Sequence, residues 1–93
     1  MQIKLQGRLD MDRCGALARE LGGELKQDGQ LVLDFAGSEM ADSAALALIL
    51  ELSRAAQTKR AKLRLQHVPA GLAALATLYG VEPLIQPLTE NDR

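Results

Sequence analysis

The sequence predicts an α/β fold in which a small β-sheet is covered by helices. Strand-type and helix-type hydrophobic patterns alternate along the chain, three times each, and a weak strand follows. Such alternation is typical of layered α/β domains. The chain has 93 residues, of which 47% are hydrophobic and 2% aromatic. We therefore expect a single domain over residues 1–93 with an aliphatic core, and a disordered tail from about residue 89.

The first third of the chain predicts a strand followed by a helix. Ile3, Leu5 and Leu9 are separated by polar residues, which indicates a half-buried strand, with Gly7 as a candidate bulge. A helix is expected from about residue 12 to residue 21, because apolar residues there fall at i, i+3, i+4 and i+7: Cys14, Leu17, Ala18 and Leu21. The pair Gly22-Gly23 is a stop signal for this helix, although Leu25 would continue the same apolar stripe.

The middle of the chain predicts a buried strand, a loop and the longest helix. Residues 31–33 are apolar without interruption, which suits a central strand covered on both faces. We expect a loop from Asp34 to Ala41 and a helix from Ser43 to about Lys59, rich in the strong helix formers Ala and Leu.

Two further elements and a weak third are expected in the last third. Residues 63–65 alternate as in a strand, and Pro69 suits the first position of a third helix, with Gly80 just past its end. The residues expected to face inward from this helix are Leu72, Leu75, Ala76 and Tyr79. The segment 81–88 contains Pro83 and Pro87, so any strand there should be short and at a sheet edge.

Composition argues against several classes of function. The formal net charge is −1, so a nucleic-acid-binding surface is not expected. Cys14 is the sole cysteine and is expected in the core, and His67 is the sole histidine and is expected to be structural or solvated. No phosphate-binding glycine loop is present. We therefore expect no catalytic activity, metal, cofactor or small-molecule substrate.

The N-terminal residues are polar and alternating, and the longest near-apolar stretch runs only from Ala44 to Leu50. Neither feature resembles a signal peptide or a membrane span. We expect a cytoplasmic protein whose link to any membrane runs through a partner rather than through insertion.

The most informative segment is LVLDFAGSEMADSAALALILEL, residues 31–52. It delivers Asp42 and Ser43 to the start of the longest helix. One interpretation is that the pair only caps this helix, because both side chains accept hydrogen bonds from backbone N–H groups. The other is that Ser43 is a contact or a phosphorylation site, since a helix N-terminus favours anionic groups.

The same helix carries a second apolar stripe. Its main stripe, expected to face the sheet, consists of Ala45, Leu48, Ile49, Leu52 and Ala56. Leu46 and Leu50 point roughly the opposite way. They either contact another helix of the same domain or form an exposed patch for a partner.

Four short motifs, in order, resemble the STAS domain family. They are Leu5 to Asp10 (LQGRLD), Asp42 to Leu46 (DSAAL), the following apolar run to Leu50, and the ending from Leu72 to Val81 (LAALATLYGV). The second is similar to the family pattern D-[ST]-x-G-L, with Ala45 in place of the glycine. Within the family the chain is most similar to the MlaB-like branch. The antagonists of anti-sigma factors often have a second hydroxyl where Ala44 stands.

The resemblance implies a small mixed sheet with about three helices packed mainly on one face. It implies a non-catalytic accessory subunit that binds the cytoplasmic ATPase of a phospholipid ABC transporter. The implied partner surface is the start of the Ser43 helix and the loop before it: Met40, Asp42, Ser43, Leu46 and Leu50. The alternative is an anti-sigma-factor antagonist regulated by phosphorylation of Ser43.

Overall fold

The computed structural model describes residues 1–41 and 43–89, and for residues 39–41 it describes the backbone alone. Strands and helices alternate as the sequence predicts, and the α/β class is confirmed. The elements are β1 (Gln2–Leu9), α1 (Met11–Glu24), β2 (Gln30–Ala41), α2 (Ser43–Thr58), β3 (Lys62–Gln66), α3 (Ala70–Leu78), α4 (Glu82–Ile85) and a 3₁₀ turn (Gln86–Leu88). Asp42 and the tail from Glu90 lie outside the described residues, so what the sequence predicts for them stays a prediction.

The described strands form one three-stranded sheet in the order β1-β2-β3. β2 is therefore the central strand, as its apolar run predicts. Both pairings are parallel, so the antiparallel part of the expected mixed sheet does not occur among these strands. Parallel neighbours require crossover connections, which α1 and α2 supply.

The helices cover one face of this sheet. In β1 the side chains of Leu5 and Leu9 are buried while Lys4 is exposed, and β3 shows the same alternation. Val32 is only half-buried and pairs with Gln2 on one side and Arg64 on the other. The expectation that the central strand is covered on both faces is therefore wrong. On the second face of the sheet Val32 lies between the polar residues Gln2 and Arg64 and is partly exposed to solvent.

β2 is longer than the sequence predicts, and the predicted loop over residues 34–41 is wrong. The strand continues to Ala41 because it stays paired with β1 up to Leu9, through two register shifts. At Gly37 an added Cβ would lie 3.0 Å from Gln6 Cγ and 3.2 Å from the Leu5 carbonyl oxygen. Glycine thus permits the close approach of the two strands. The bulge predicted at Gly7 is confirmed by a register shift and a φ of 76°.

α1 begins and ends on side-chain hydrogen bonds. Asp10 is the N-cap, and its carboxylate accepts from the backbone N–H of Arg13 at 2.9 Å. The helix passes through Gly22 and ends at Glu24, so the predicted stop at the glycine pair is wrong. The Lys59 ammonium, just after α2, donates to the carbonyl oxygens of Gly22 at 2.8 Å and Leu25 at 2.7 Å. The positive charge of Lys59 interacts favourably with the negative C-terminal end of the α1 dipole. Its hydrogen bonds also link the C-terminal end of α1 to the residue after α2.

The aliphatic core is confirmed in most of its predicted members. Among the fully or nearly fully buried side chains are Leu33, Leu48, Ile49, Leu65 and Cys14. Leu75 was expected with them but is only partly buried. The largest buried side chain is Phe35, which lies in the part of β2 that the sequence analysis assigns to a loop.

The C-terminal segment differs from the prediction in its details. Pro69 is the N-cap of α3 rather than its first residue, and Gly80 follows the helix with a φ of 76°, as expected. Tyr79 is the C-cap and is 55% exposed, so it does not face inward. The predicted edge strand is replaced by α4 and the 3₁₀ turn, and the chain then returns to bridge Leu65 at Thr89. None of the described helices is long and apolar enough to cross a membrane.

Candidate functional site

Ser43 is the first residue of α2, and its side chain is exposed. The helix therefore presents Ser43 to solvent at the end where backbone N–H groups point outward. The position before it, where an N-cap residue would stand, belongs to Asp42, which lies outside the described residues. The side chain of Met40 also lies outside the described residues. The roles predicted for Asp42 and Met40 therefore stay predictions.

Ser43 lies at one end of an open groove between α1 and α2. The groove has a volume of about 580 Å³. α1 contributes Met11, Cys14, Gly15, Ala18 and Arg19, and α2 contributes Ser43, Ala44, Ala47, Leu48 and Glu51. Its polar groups are confined to the two ends, with Ser43 at one and Arg19 and Glu51 at the other.

The groove exists because both helices carry small residues where they face each other. Gly15 and Ala18 on α1 and Ala44 and Ala47 on α2 leave the space between the helices unfilled. An added Cβ on Gly15 would meet only Arg19 Nη1, at 3.8 Å. The open space therefore lies beside the backbone of α1, where another chain can approach closely.

The two helices start at the same end of the groove. Met11 is the first residue of α1 and Ser43 the first of α2, and both line it. From this end to Arg19 and Glu51 the groove runs along nine residues of each helix, which places its ends roughly 12 Å apart along the helix axes. Two helix N-termini thus lie at the Ser43 end, and each carries a partial positive charge. Met11 lies there and is 79% exposed.

The two leucines predicted to contact a partner lie elsewhere. Leu46 is 3% exposed and belongs to the core, so its predicted role as a direct partner contact is wrong. The reason is that α2 contacts both α1 and α3 besides the sheet, which covers its second apolar stripe. Leu50 is half-buried, packs against the core and does not line the groove.

Sequence reasoning missed the contribution of α1 to this site. Met11, Gly15 and Ala18 fall at the spacing of one helix face, and so do Ala44 and Ala47 on α2. Small residues three positions apart on two successive helices, Gly15 and Ala18 on α1 and Ala44 and Ala47 on α2, were the available signal. This spacing indicates a groove only when the two helices are known to be neighbours.

A polar pair lies away from the groove, at the end of β3. His67 Nδ1 is 2.9 Å from Asp34 Oδ1, and the same oxygen accepts from the backbone N–H of Ala36 at 2.9 Å. The Asp34 residue is 6% exposed. The Ala36 N–H first, and then His67 and Lys4, hold the pKa of this carboxyl below its usual range, against the opposing effect of burial. His67 thus has the structural role that the sequence predicts.

Among residues 1–41 and 43–89 no group of three or more His, Cys, Asp or Glu side chains is arranged to hold a metal ion. The described part of the site offers an apolar groove, small side chains at its walls and polar groups at its ends. A surface of this kind is suited to binding another protein, because apolar contact occupies its centre and polar groups form its rim.

A comparison with protein families also indicates a domain that binds other proteins. A family model described as "Mlab, STAS domain" matches residues 1–87. The chain therefore belongs to the STAS domain family, in its MlaB type, and is a STAS protein-interaction module. None of the curated proteins compared with the chain matches it.

Proposed function

We propose that this chain is a non-catalytic accessory subunit that binds the cytoplasmic ATPase of a phospholipid ABC transporter. The observation that carries the proposal is the open apolar groove ending at the exposed Ser43 in a domain of the MlaB type. In this role the domain supports the assembly or activity of the ATPase, and lipid movement between membranes depends on the partner. The chain is held at the inner membrane from the cytoplasmic side through that partner.

The shape of the groove favours a narrow apolar segment of the partner. Its small wall residues Gly15 and Ala18 on α1 and Ala44 and Ala47 on α2 allow a helix to approach the backbones of both helices between the larger residues at the ends of the groove. Met11, exposed at the mouth, can pack against such a helix because a methionine adapts to the surface it meets. Ser43 then supplies a polar anchor beside the apolar contact.

Filling the groove tests the proposal. We expect Ala47→Trp to weaken capture of the ATPase by about tenfold or more, which corresponds to about 1.4 kcal/mol. Ala47 is exposed on the groove wall, so the larger ring occupies the groove without disturbing the core. The measurement is co-purification of the tagged full chain from native cytoplasm and membranes, with the ABC ATPase and its permease identified by mass spectrometry.

Ala16→Trp is the matched control for this experiment. Ala16 is exposed on α1 but does not line the groove, so the same ring at that position should leave capture unchanged. Equal loss in both variants, or undiminished capture by Ala47→Trp, would contradict the role of the groove. If wild type captures no ABC ATPase, the proposed function itself is wrong.

Substitutions at Ser43 separate a residue that only begins the helix from a contact residue. If Ser43 is only the first residue of α2, Ser43→Ala should change the free energy of unfolding by no more than about 0.5 kcal/mol, as at other exposed positions, and leave binding normal. We expect instead that binding weakens by more than the loss of folded protein explains, because the exposed hydroxyl lies at the mouth of the groove. Ser43→Asp should weaken it further unless the partner supplies an Arg or Lys. Normal affinity in both variants would leave Ser43 with no role beyond beginning the helix.

One observation keeps the anti-sigma-factor antagonist as a second candidate. Ser43 is exposed at a helix N-terminus, where a kinase can reach it and where a phosphate is electrostatically tolerated. This function requires co-purification with a kinase-like anti-sigma factor rather than with an ATPase and permease. It also requires that phosphorylation of Ser43 release that partner.

A further inference from the structure

The groove between α1 and α2 closes toward the C-terminal ends of the two helices. Gly15 and Gly22 lie on one face of α1, because seven residues make almost two full turns. A Cβ added at Gly22 would lie 4.0 Å from the Ala55 Cβ of α2, whereas a Cβ added at Gly15 would have as its nearest atom Arg19 Nη1 of the same helix, at 3.8 Å. The two helices are therefore in contact at Gly22 and separate toward their N-terminal ends.

The side chain of Lys59 lies at this closed end. Lys59 directly follows α2, and its part-buried ammonium donates to the carbonyl oxygens of Gly22 at 2.8 Å and Leu25 at 2.7 Å. Hydrogen bonds from an ionised donor are stronger than those between neutral groups. The two bonds thus hold the end of α1 against the end of α2 at the point where the helices converge.

The backbone of Lys59 is held by other hydrogen bonds. Its N–H donates to the Ala55 carbonyl oxygen at 3.1 Å, and its own carbonyl oxygen accepts from the Asp28 N–H at 2.9 Å. Both bonds remain when the side chain is replaced. α1 also keeps Cys14 and Leu21 buried in the core. A substitution at position 59 therefore removes the link to the α1 carbonyl groups and leaves the elements themselves in place.

The width of the groove depends on the angle between the two helices. Met11, at the open end, is eleven residues from Gly22, roughly 16 Å along the helix axis. A change of about 10° in the angle, made at Gly22, displaces Met11 by roughly 3 Å. Protein interfaces are packed as closely as protein interiors, so a displacement of this size alters which side chains the groove can hold.

We propose that Lys59 is a positioning residue for the groove, which fixes the angle between α1 and α2 at the width that the partner requires. The identity of the partner rests on the proposed function, but the angle is a property of the chain alone. Without the ammonium group, α1 samples several angles and only part of the population keeps the required width. The apparent dissociation constant rises in inverse proportion to that part.

A distance measurement on the purified full chain tests the angle. Spin labels at Asp12→Cys on α1 and Ala74→Cys on α3 occupy exposed positions outside the groove, and α3 is a fixed reference because it packs against α2. The native cysteine is buried, so the labels attach to the introduced ones. Electron-spin resonance should give a narrow distance distribution in the otherwise wild-type chain. Lys59→Met should broaden it by roughly 2–3 Å, and Lys59→Arg, which keeps a charged donor, should restore it.

Capture of the ATPase tests the consequence for binding. We expect Lys59→Met to weaken capture by about tenfold, as when a tenth of the population keeps the required width, and Lys59→Arg to bind nearly as wild type. Lys26→Met is the matched control, because it makes the same change in the exposed turn after α1. Asp34→Asn is the stability control, because it removes hydrogen bonds that lie away from both helices. Neither control should change the distance distribution or the capture by folded protein.

The two measurements give distinct outcomes. An unchanged distance distribution in Lys59→Met would overturn the proposal. A broadened distribution with undiminished capture, or an equal loss of capture in Asp34→Asn, would do so too. If the wild-type chain captures no ABC ATPase, the proposed function is wrong, and the distance distribution alone then decides whether Lys59 sets the width of the groove.

Discussion

Leu33→Ala is expected to lower the free energy of unfolding by about 2–5 kcal/mol, the usual cost of a cavity in place of a buried leucine. Leu33 is fully buried in the central strand, paired with Ile3 of β1 and Leu65 of β3. The surrounding strands are fixed by their own hydrogen bonds and cannot collapse into the cavity. Urea unfolding followed by circular dichroism measures the change, which is a large share of the stability of a domain this small.

Two other leucines give the matched comparison. Leu75 is only partly buried and Leu84 is 59% exposed. We therefore expect Leu75→Ala to cost less than Leu33→Ala, and Leu84→Ala to remain within about 0.5 kcal/mol of wild type. Equal losses at Leu33 and Leu84 would contradict the burial of the central strand.

The alternation of strands and helices could be predicted from the sequence because each pattern is local. Period-two apolar residues in β1 and β3 and the helical spacing in α1 and α2 reflect which side of the element faces the core. The length of β2 could not be predicted in this way. Gly37 and Ser38 have the chemistry of a loop, but their pairing with residues 6 and 7 is decided by a strand about thirty residues earlier in the chain.

Part of the candidate site could also be predicted because it depends on a local pattern. The apolar pattern of α2 begins at Ser43, so the sequence indicates that a helix starts there. The resemblance implies a partner contact for Leu46, and the second stripe of α2 leaves open whether it faces a partner or another helix; both sides of α2 are covered once α1 and α3 pack against it. The groove depends on small residues from two helices, and no pattern within one helix indicates that the other is beside it.

The face of the sheet away from the helices carries Asp34, the one charged residue that is buried in the described part of the chain, and its contacts explain why a central strand can hold a polar residue. Asp34 lies beside Lys4 of β1 and Gln66 of β3 in the register of the sheet. The carboxylate accepts from the Ala36 N–H and contacts His67, so β2 is tied to the residue that follows β3. A charge buried with such partners is stabilising only while it is ionised.

Asp34→Asn is expected to lower the free energy of unfolding at pH 7 by about 1.5–3 kcal/mol, the usual contribution of a hydrogen bond to a charged group. The pKa of the Asp34 carboxyl is lowered in the folded state. Its contribution is therefore complete above the unfolded carboxyl pKa of about 3.9 and is lost as the pH falls through the lower folded value. The stability difference between wild type and D34N should shrink as the pH falls below about 4.

Urea unfolding of both proteins at a series of pH values from neutral to acid measures this difference. Glu20→Gln is the control, because Glu20 is exposed on α1 and its loss should change stability by no more than about 0.5 kcal/mol at any pH. A gap between wild type and D34N that stayed constant into acid would show that the carboxylate charge does not hold β2 and the residue after β3 together. A gap that closes in acid, with none for E20Q, would assign that role to the ionised Asp34.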